Sequence, residues 1–149
     1  MENYSVNDKI IVHADFMDVE IDLTRISNNI KAAQYALDTQ IMADMIPIMP
    51  RQTGNFVQMT NARSAAAAGT GYVWAGTPPF GRFLYYGKVM IDPVTGSAYA
   101  RKGVKKIVTD KDLKFWYPTA QAKWFEVAKS RNINNWVELV RKTCAGGKT

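Results

Sequence analysis

Residues 23–50 read LTRISNNIKAAQYALDTQIMADMIPIMP, and the spacing of their apolar side chains decides the architecture. Leu23, Ile26, Ile30, Ala33, Leu37, Ile41 and Met45 recur every three or four residues, the period of a helix with one apolar face. The spacing predicts a single amphipathic helix. Asp22 or Thr24 caps its first turn by accepting free backbone N–H groups. Pro47 and Pro50 end it by removing donors and clashing with the preceding turn. About 22–24 residues at ~1.5 Å each give a rod of roughly 35 Å, the spine of one domain.

An apolar helix face needs cover, and the flanking sequence offers strands. Before the helix, Met17, Val19 and Ile21 alternate with Asp18, Glu20 and Asp22, the period-2 pattern of a strand with one wet face. Residues 9–14 form a further short strand or an extension. After the helix, residues 55–60 and 71–76 are strand-like and bounded by breakers, with the Ala-rich segment 62–70 as a mobile hairpin tip. Val89, Met90 and Ile91 then lead into a turn at Asp92, Pro93 and Gly96. Towards the C-terminus, Thr119 caps a helix carrying Trp124, Phe125, Val127 and Ala128, and residues 131–134 interrupt it. A second short helix carries Trp136, Leu139 and Val140 and frays at Ala145, Gly146 and Gly147. Both tryptophans sit at helical spacing beside aliphatics, as core residues do. The expected fold is α+β, with one long N-terminal helix packed on an antiparallel β-sheet and short C-terminal helices.

Composition narrows the chemistry. The 149 residues hold one cysteine, Cys144, and one histidine, His13, so an internal disulfide framework and the familiar nucleophile–base pairs are mostly unavailable. The chain reads as intracellular and soluble, since no basic start is followed by an apolar run and no apolar segment approaches the ~20 residues that span a bilayer. Asp18, Glu20 and Asp22 invite a metal reading, but carboxylates two apart on one strand face lie ~7 Å apart. No further ligand is placed to close a coordination shell. Gly69-Thr70-Gly71 lacks the third glycine of a dinucleotide loop, where Trp74 stands, and no Gly-Lys-Ser/Thr follows. No enzyme activity, cofactor or metal is expected.

Charge is the informative quantity. The net charge is +6, yet residues 1–75 carry 5 basic and 8 acidic side chains, while residues 76–149 carry 14 basic and 5 acidic ones. A chain polarised this way is suited to pairing head to tail with its own copies or to facing a polyanion. In the basic half, residues 78–87 read PPFGRFLYYG, four aromatics and one arginine between breakers. Aromatics and arginine are the residue types enriched at protein interfaces. Arg101, Lys102, Lys105 and Lys106 then form a basic segment, either a partner or DNA loop, or a solvated loop or lysine-protected edge strand, the commoner arrangement.

Taken in order, Met45 to Pro50, Thr53-Gly54-Asn55-Phe56, Thr77 to Gly87, Trp124 to Lys129 and Trp136 resemble the phage minor capsid protein family. That family is similar to the tail-completion, or head-to-tail joining, proteins of long-tailed bacteriophages. The resemblance spans roughly residues 17–142. Phe56 stands for the family's usual leucine, and Phe80-Gly81 for its Tyr-Ala. The resemblance implies a single tail-completion-like domain over 17–144, with residues 1–16 an extension or extra strand and 145–149 a flexible tail. It implies a virion protein made in the host bacterial cytoplasm that forms a homo-oligomeric ring, a hexamer or dodecamer, in the neck. Its partners would be head-completion or connector proteins, the tail terminator or tail tube protein, and packaged DNA in the channel, with no membrane. Thr53, Gly54 and Asn55 are expected to set a chain reversal between helix and sheet. Arg51, Thr53, Asn55, Arg82, Tyr85 and Tyr86 are the expected subunit or partner contacts, and Arg101, Lys102, Lys105 and Lys106 the DNA or partner loop. The alternative is a basic nucleic-acid-binding module in which Tyr72, Trp74, Tyr85 and Tyr86 stack bases beside the lysines.

Overall fold

A computed structural model of the chain describes residues 2–6, 9–51 and 53–147. Three strands come first: β1 (Glu2–Val6), β2 (Lys9–Ala14) and β3 (Met17–Asp22) form an antiparallel sheet in that order. Helix α1 (Thr24–Met45) follows, and the Asp22 carboxylate accepts the Thr24 N–H at 2.9 Å, satisfying a first-turn donor as the sequence led us to expect. Pro47 sits in a 3₁₀ turn, Ile46–Ile48, that closes the helix. Then come α2 (Asn55–Ala67), α3 (Gly81–Tyr86), the antiparallel pair β4 (Lys88–Ile91) and β5 (Ile107–Asp112), and α4 (Trp124–Cys144).

The core lies between helices. Met42, Met45, Ile48, Met49 and Val57 bury against Trp124, Ala128 and Trp136 of α4. Asn29 reaches the Cys144 carbonyl at 3.1 Å while Trp136 Nε1 reaches Asp44 at 2.6 Å, so α1 and α4 run antiparallel. Both tryptophans are core, as their spacing implied.

The class is α+β, but the arrangement differs from the expected one. The long helix is preceded by three strands, and it packs on α4 and not on a sheet. Both sheets are small, with two or three strands of four to six residues. Six strand residues reach ~20 Å, short beside a ~33 Å helix. α4, by contrast, matches α1 in length and supplies two indoles.

Residues 55–60 are helical. Val57, Thr60 and Ser64 are the buried positions of α2, at helical spacing, so Thr60 and Ser64 serve as inward residues. Consequently residues 62–67 are the second half of a helix and not a hairpin tip. Residues 72–76 form no strand; their polar groups pair with side chains, the Ser64 hydroxyl taking the Trp74 N–H and donating to the Trp74 carbonyl. The turn before them is held by buried Asp38, whose carboxylate accepts the Gly69 and Gly71 N–H groups at 2.8 and 3.0 Å.

At the other end, α4 is one helix. It runs through residues 131–134, where Asn132 bonds the Ala128 carbonyl at 3.1 Å instead of breaking the turn. It starts at Trp124, after Lys123 in a left-handed conformation (φ 51°), so Thr119 is not its cap. It ends at Cys144, with Ala145 and Gly146 in a turn. Lys148 and Thr149 of the expected tail, and Met1, Asn7 and Asp8 of the expected extension, lie outside the described residues. The extra strand anticipated before Met17 is a pair, β1 and β2. Among the described residues no helix is long and apolar enough to cross a membrane.

Candidate functional site: an apolar groove with a cationic rim

The segment between α2 and β4 is fixed by close backbone approach. A methyl built on Gly81 would lie 2.7 Å from the Gly76 carbonyl carbon, so the two glycines bring two stretches of backbone together as no other residue pair would. Gly81 N–H donates to the Thr77 carbonyl at 2.8 Å and starts α3. α3 ends at Gly87 (φ 63°), where a Cβ would lie 2.6 Å from Ala122 Cβ.

Below α3 stands Trp124. Its indole N–H donates to the Ala75 carbonyl at 2.8 Å, and the Tyr85 and Phe56 rings meet it edge-on at 4.9 and 6.0 Å. Tyr85 is thereby half-buried, and its hydroxyl donates to Glu126 Oε2 at 2.6 Å. Burial, then the Glu126 carboxylate, pushes the Tyr85 pKa above its ordinary value.

These elements enclose one side of a groove of about 790 Å³. Its walls are Phe56 and Met59 of α2, Pro78 to Phe80, Phe83 and Leu84 of α3, Val89 and Met90 of β4, and Leu113 to Trp116. Arg51, Thr53, Asn55, Lys88, Lys106 and Lys114 supply its polar groups. Lys88 is paired with Asp112 at 2.6 Å. Lys106 lies over the Phe83 ring, its ammonium 5.2 Å from the centroid. Trp116 and Phe80 are 91% and 61% exposed, so two large rings face outward.

Several expected contact residues meet here. Arg51, Thr53, Asn55 and Lys106 line one groove, although they come from segments 50 residues apart. Arg51 also donates to the Ile46 carbonyl at 2.9 Å, satisfying a helix-end acceptor. Gly54 (φ 81°) is left-handed at the start of α2, so Thr53-Gly54-Asn55 lies between the 3₁₀ turn and a helix and not, as expected, between a helix and a sheet. Arg82 and Tyr86 are exposed on α3; the Tyr86 ring meets Tyr85 edge-on at 5.6 Å.

The basic segment divides. Arg101 Nε lies 3.0 Å from Asp92, whose carboxylate is buried and also accepts the Val94 and Thr95 N–H groups. Those bonds, Arg101 first, hold the Asp92 pKa down at about 2. Lys102 and Lys105 are exposed and make no ion pair among the described residues. Of the rings proposed to stack bases, Tyr85 is committed to Trp124, and the Trp74 ring carries the Arg63 guanidinium at 5.1 Å. Tyr72 is open.

Sequence reasoning did not single out Met59, Lys114 or Trp116. Phe115-Trp116-Tyr117, three consecutive aromatics before Pro118, was the available signal. Asp18, Glu20 and Asp22 each have a partner: His13 Nδ1 at 2.8 Å, Lys9, and the first turn of α1. Compared with known protein families, with characterised proteins and with solved structures, the chain matches none of them.

Proposed function

We propose that this chain is a structural protein of the phage neck, forming a ring that joins the DNA-filled head to the tail. The observation that carries the reading is the groove, in which four of the expected contact residues, Arg51, Thr53, Asn55 and Lys106, share one apolar, cation-edged surface, while Arg82 and Tyr86 lie outside it on α3. The ordered resemblance over residues 17–142 supplies the setting, and the charge asymmetry between the two halves suits contacts between unlike faces of neighbouring copies. Work of this kind is binding and geometry. Exposed Arg82 and Tyr86 are offered to a neighbouring subunit or connector, while Tyr85 anchors their helix to Trp124. Lys102 and Lys105 are the residues of the basic segment left available to DNA in the channel.

Arg82→Ala combined with Tyr86→Ala tests the reading, because both side chains are exposed and their loss spares the core. The double variant is expected to fold, and to leave heads and tails unjoined when it replaces the parent chain during phage growth. A folded double variant that still gives full yields of joined particles would count against the assignment of α3 to assembly.

A further inference from the structure

Large rings stand in water beside cations at the groove, and no acid stands with them. Trp116 is the most exposed of the four tryptophans, and Phe80 is exposed as well. Both forgo the apolar burial that Trp124 and Trp136 obtain in the core. Arg51, Lys88, Lys106 and Lys114 line the same groove, and among the described residues lining it there is no aspartate or glutamate. Lys88 is held by Asp112, from outside the lining. Lys106 and Lys114 make no ion pair among the described residues, and Arg51 spends one guanidinium nitrogen on the Ile46 carbonyl. The exposed Lys102 and Lys105 precede Lys106 in the chain.

An occupant matched to this surface is anionic and presents flat apolar faces. An acidic peptide supplies the charge but few planes. A nucleic-acid duplex supplies phosphates but keeps its base faces stacked inside, so Trp116 and Phe80 would have nothing to lie against. A single strand offers both, a phosphate on each nucleotide and a π-face on every base, and aromatic platforms in a cationic groove hold such strands without regard to sequence. Lys106 over the Phe83 ring already interleaves the two kinds of group, 5.2 Å apart. We infer that the groove binds a single-stranded polynucleotide, its bases stacking on Trp116 and Phe80 and its phosphates passing Arg51, Lys106 and Lys114. The inference takes from the neck reading only the groove's role as a contact surface.

Fluorescence anisotropy of a labelled oligodeoxythymidylate of about 15 nucleotides, titrated with the full chain at several salt concentrations, tests it. The parent chain should bind with a Kd of about 1–100 µM at physiological salt. Trp116→Ala should weaken binding about tenfold and leave the slope of log K against log salt unchanged, and Trp116→Phe, which keeps a ring, should restore most of the loss. Lys106→Gln with Lys114→Gln should instead flatten that slope by about 1.4, at ~0.7 for each phosphate contact removed. Trp116 and Lys114 are exposed and Lys106 is half-buried, so folding is expected to survive, and a melting curve checks it. No binding at ~1 mM chain, or a folded Trp116→Ala variant that binds like the parent, would overturn the inference. So would equal affinity for a duplex or a polyglutamate of matched charge, the latter marking a surface for acidic protein. Presence of the chain in purified virions is a separate measurement, so a failure here and a failure of the neck reading are told apart.

Discussion

The Trp136 indole nitrogen donates to Asp44 Oδ2 at 2.6 Å, linking residues 92 positions apart and pinning α4 to α1. Trp136 is 4% exposed, so its N–H has no water to return to if the acceptor is lost. A buried hydrogen bond to a charged group contributes about 1.5–3 kcal/mol. Trp136→Phe should lower the unfolding free energy by about that amount in a urea titration. A double-mutant cycle with Asp44→Ala should then show strong coupling, because each change removes the same bond.

The Gly76–Gly81 approach makes a second prediction. Gly81→Ala places a methyl against backbone that has no flexible end to yield, so it should destabilise by about 1–3 kcal/mol, as overpacking does. The same substitution at Gly96 meets open space but sits at φ 67°, so only the smaller conformational cost applies there. Thermal denaturation of the two variants should rank them in that order.

Tyr85 makes the fold alkali-sensitive. Its pKa in the folded chain is raised above the ordinary 10.0, so the folded state holds the proton more tightly than the unfolded one. Stability from this group is therefore complete below about pH 10 and falls as pH rises beyond it. Tyr85→Phe should cost about 0.5–1 kcal/mol at neutral pH, the acceptor Glu126 being exposed. It should also flatten the stability profile above pH 10, read by denaturant titration at stepped pH.

Asp92 gives the opposite sign. Its pKa is depressed from 3.8 to about 2, so its contribution is present above pH 3.8 and is lost as the pH falls from there towards 2. Asp92→Asn should lower the melting temperature at neutral pH and remove that part of the acid dependence. Arg101→Ala should lower it as well, since it takes away the first of the bonds that hold the carboxylate.

The long helix, the strand at 17–22, the turn at 92–96 and the buried tryptophans were legible because each rests on a local signal: a hydrophobic period, an Asp-Pro and Gly turn, or indoles beside aliphatics. α2 was not, because its inward face is built from Thr60 and Ser64, and a pattern search that counts only apolar residues sees a short strand there. α4 was split because Asn132 and Asn134 are weak helix formers by propensity, while Trp136 and Trp124, both buried on the same helix, override them. Of the groove, Arg51, Thr53, Asn55 and Lys106 were named from sequence. Their convergence was not readable, because it depends on the Gly76–Gly81 contact and on β5 returning beside β4. Met59 and Trp116 look like ordinary apolar residues until exposure reveals where they stand.

The central claim is that the chain is a component of the assembled particle. Quantitative mass spectrometry of purified, tailed virions grown in cells that express the chain tests that claim most directly. The account predicts that the chain is present, at a copy number fixed relative to the portal and retained through salt washing. Its absence from washed virions whose head and tail proteins are all recovered would contradict the account.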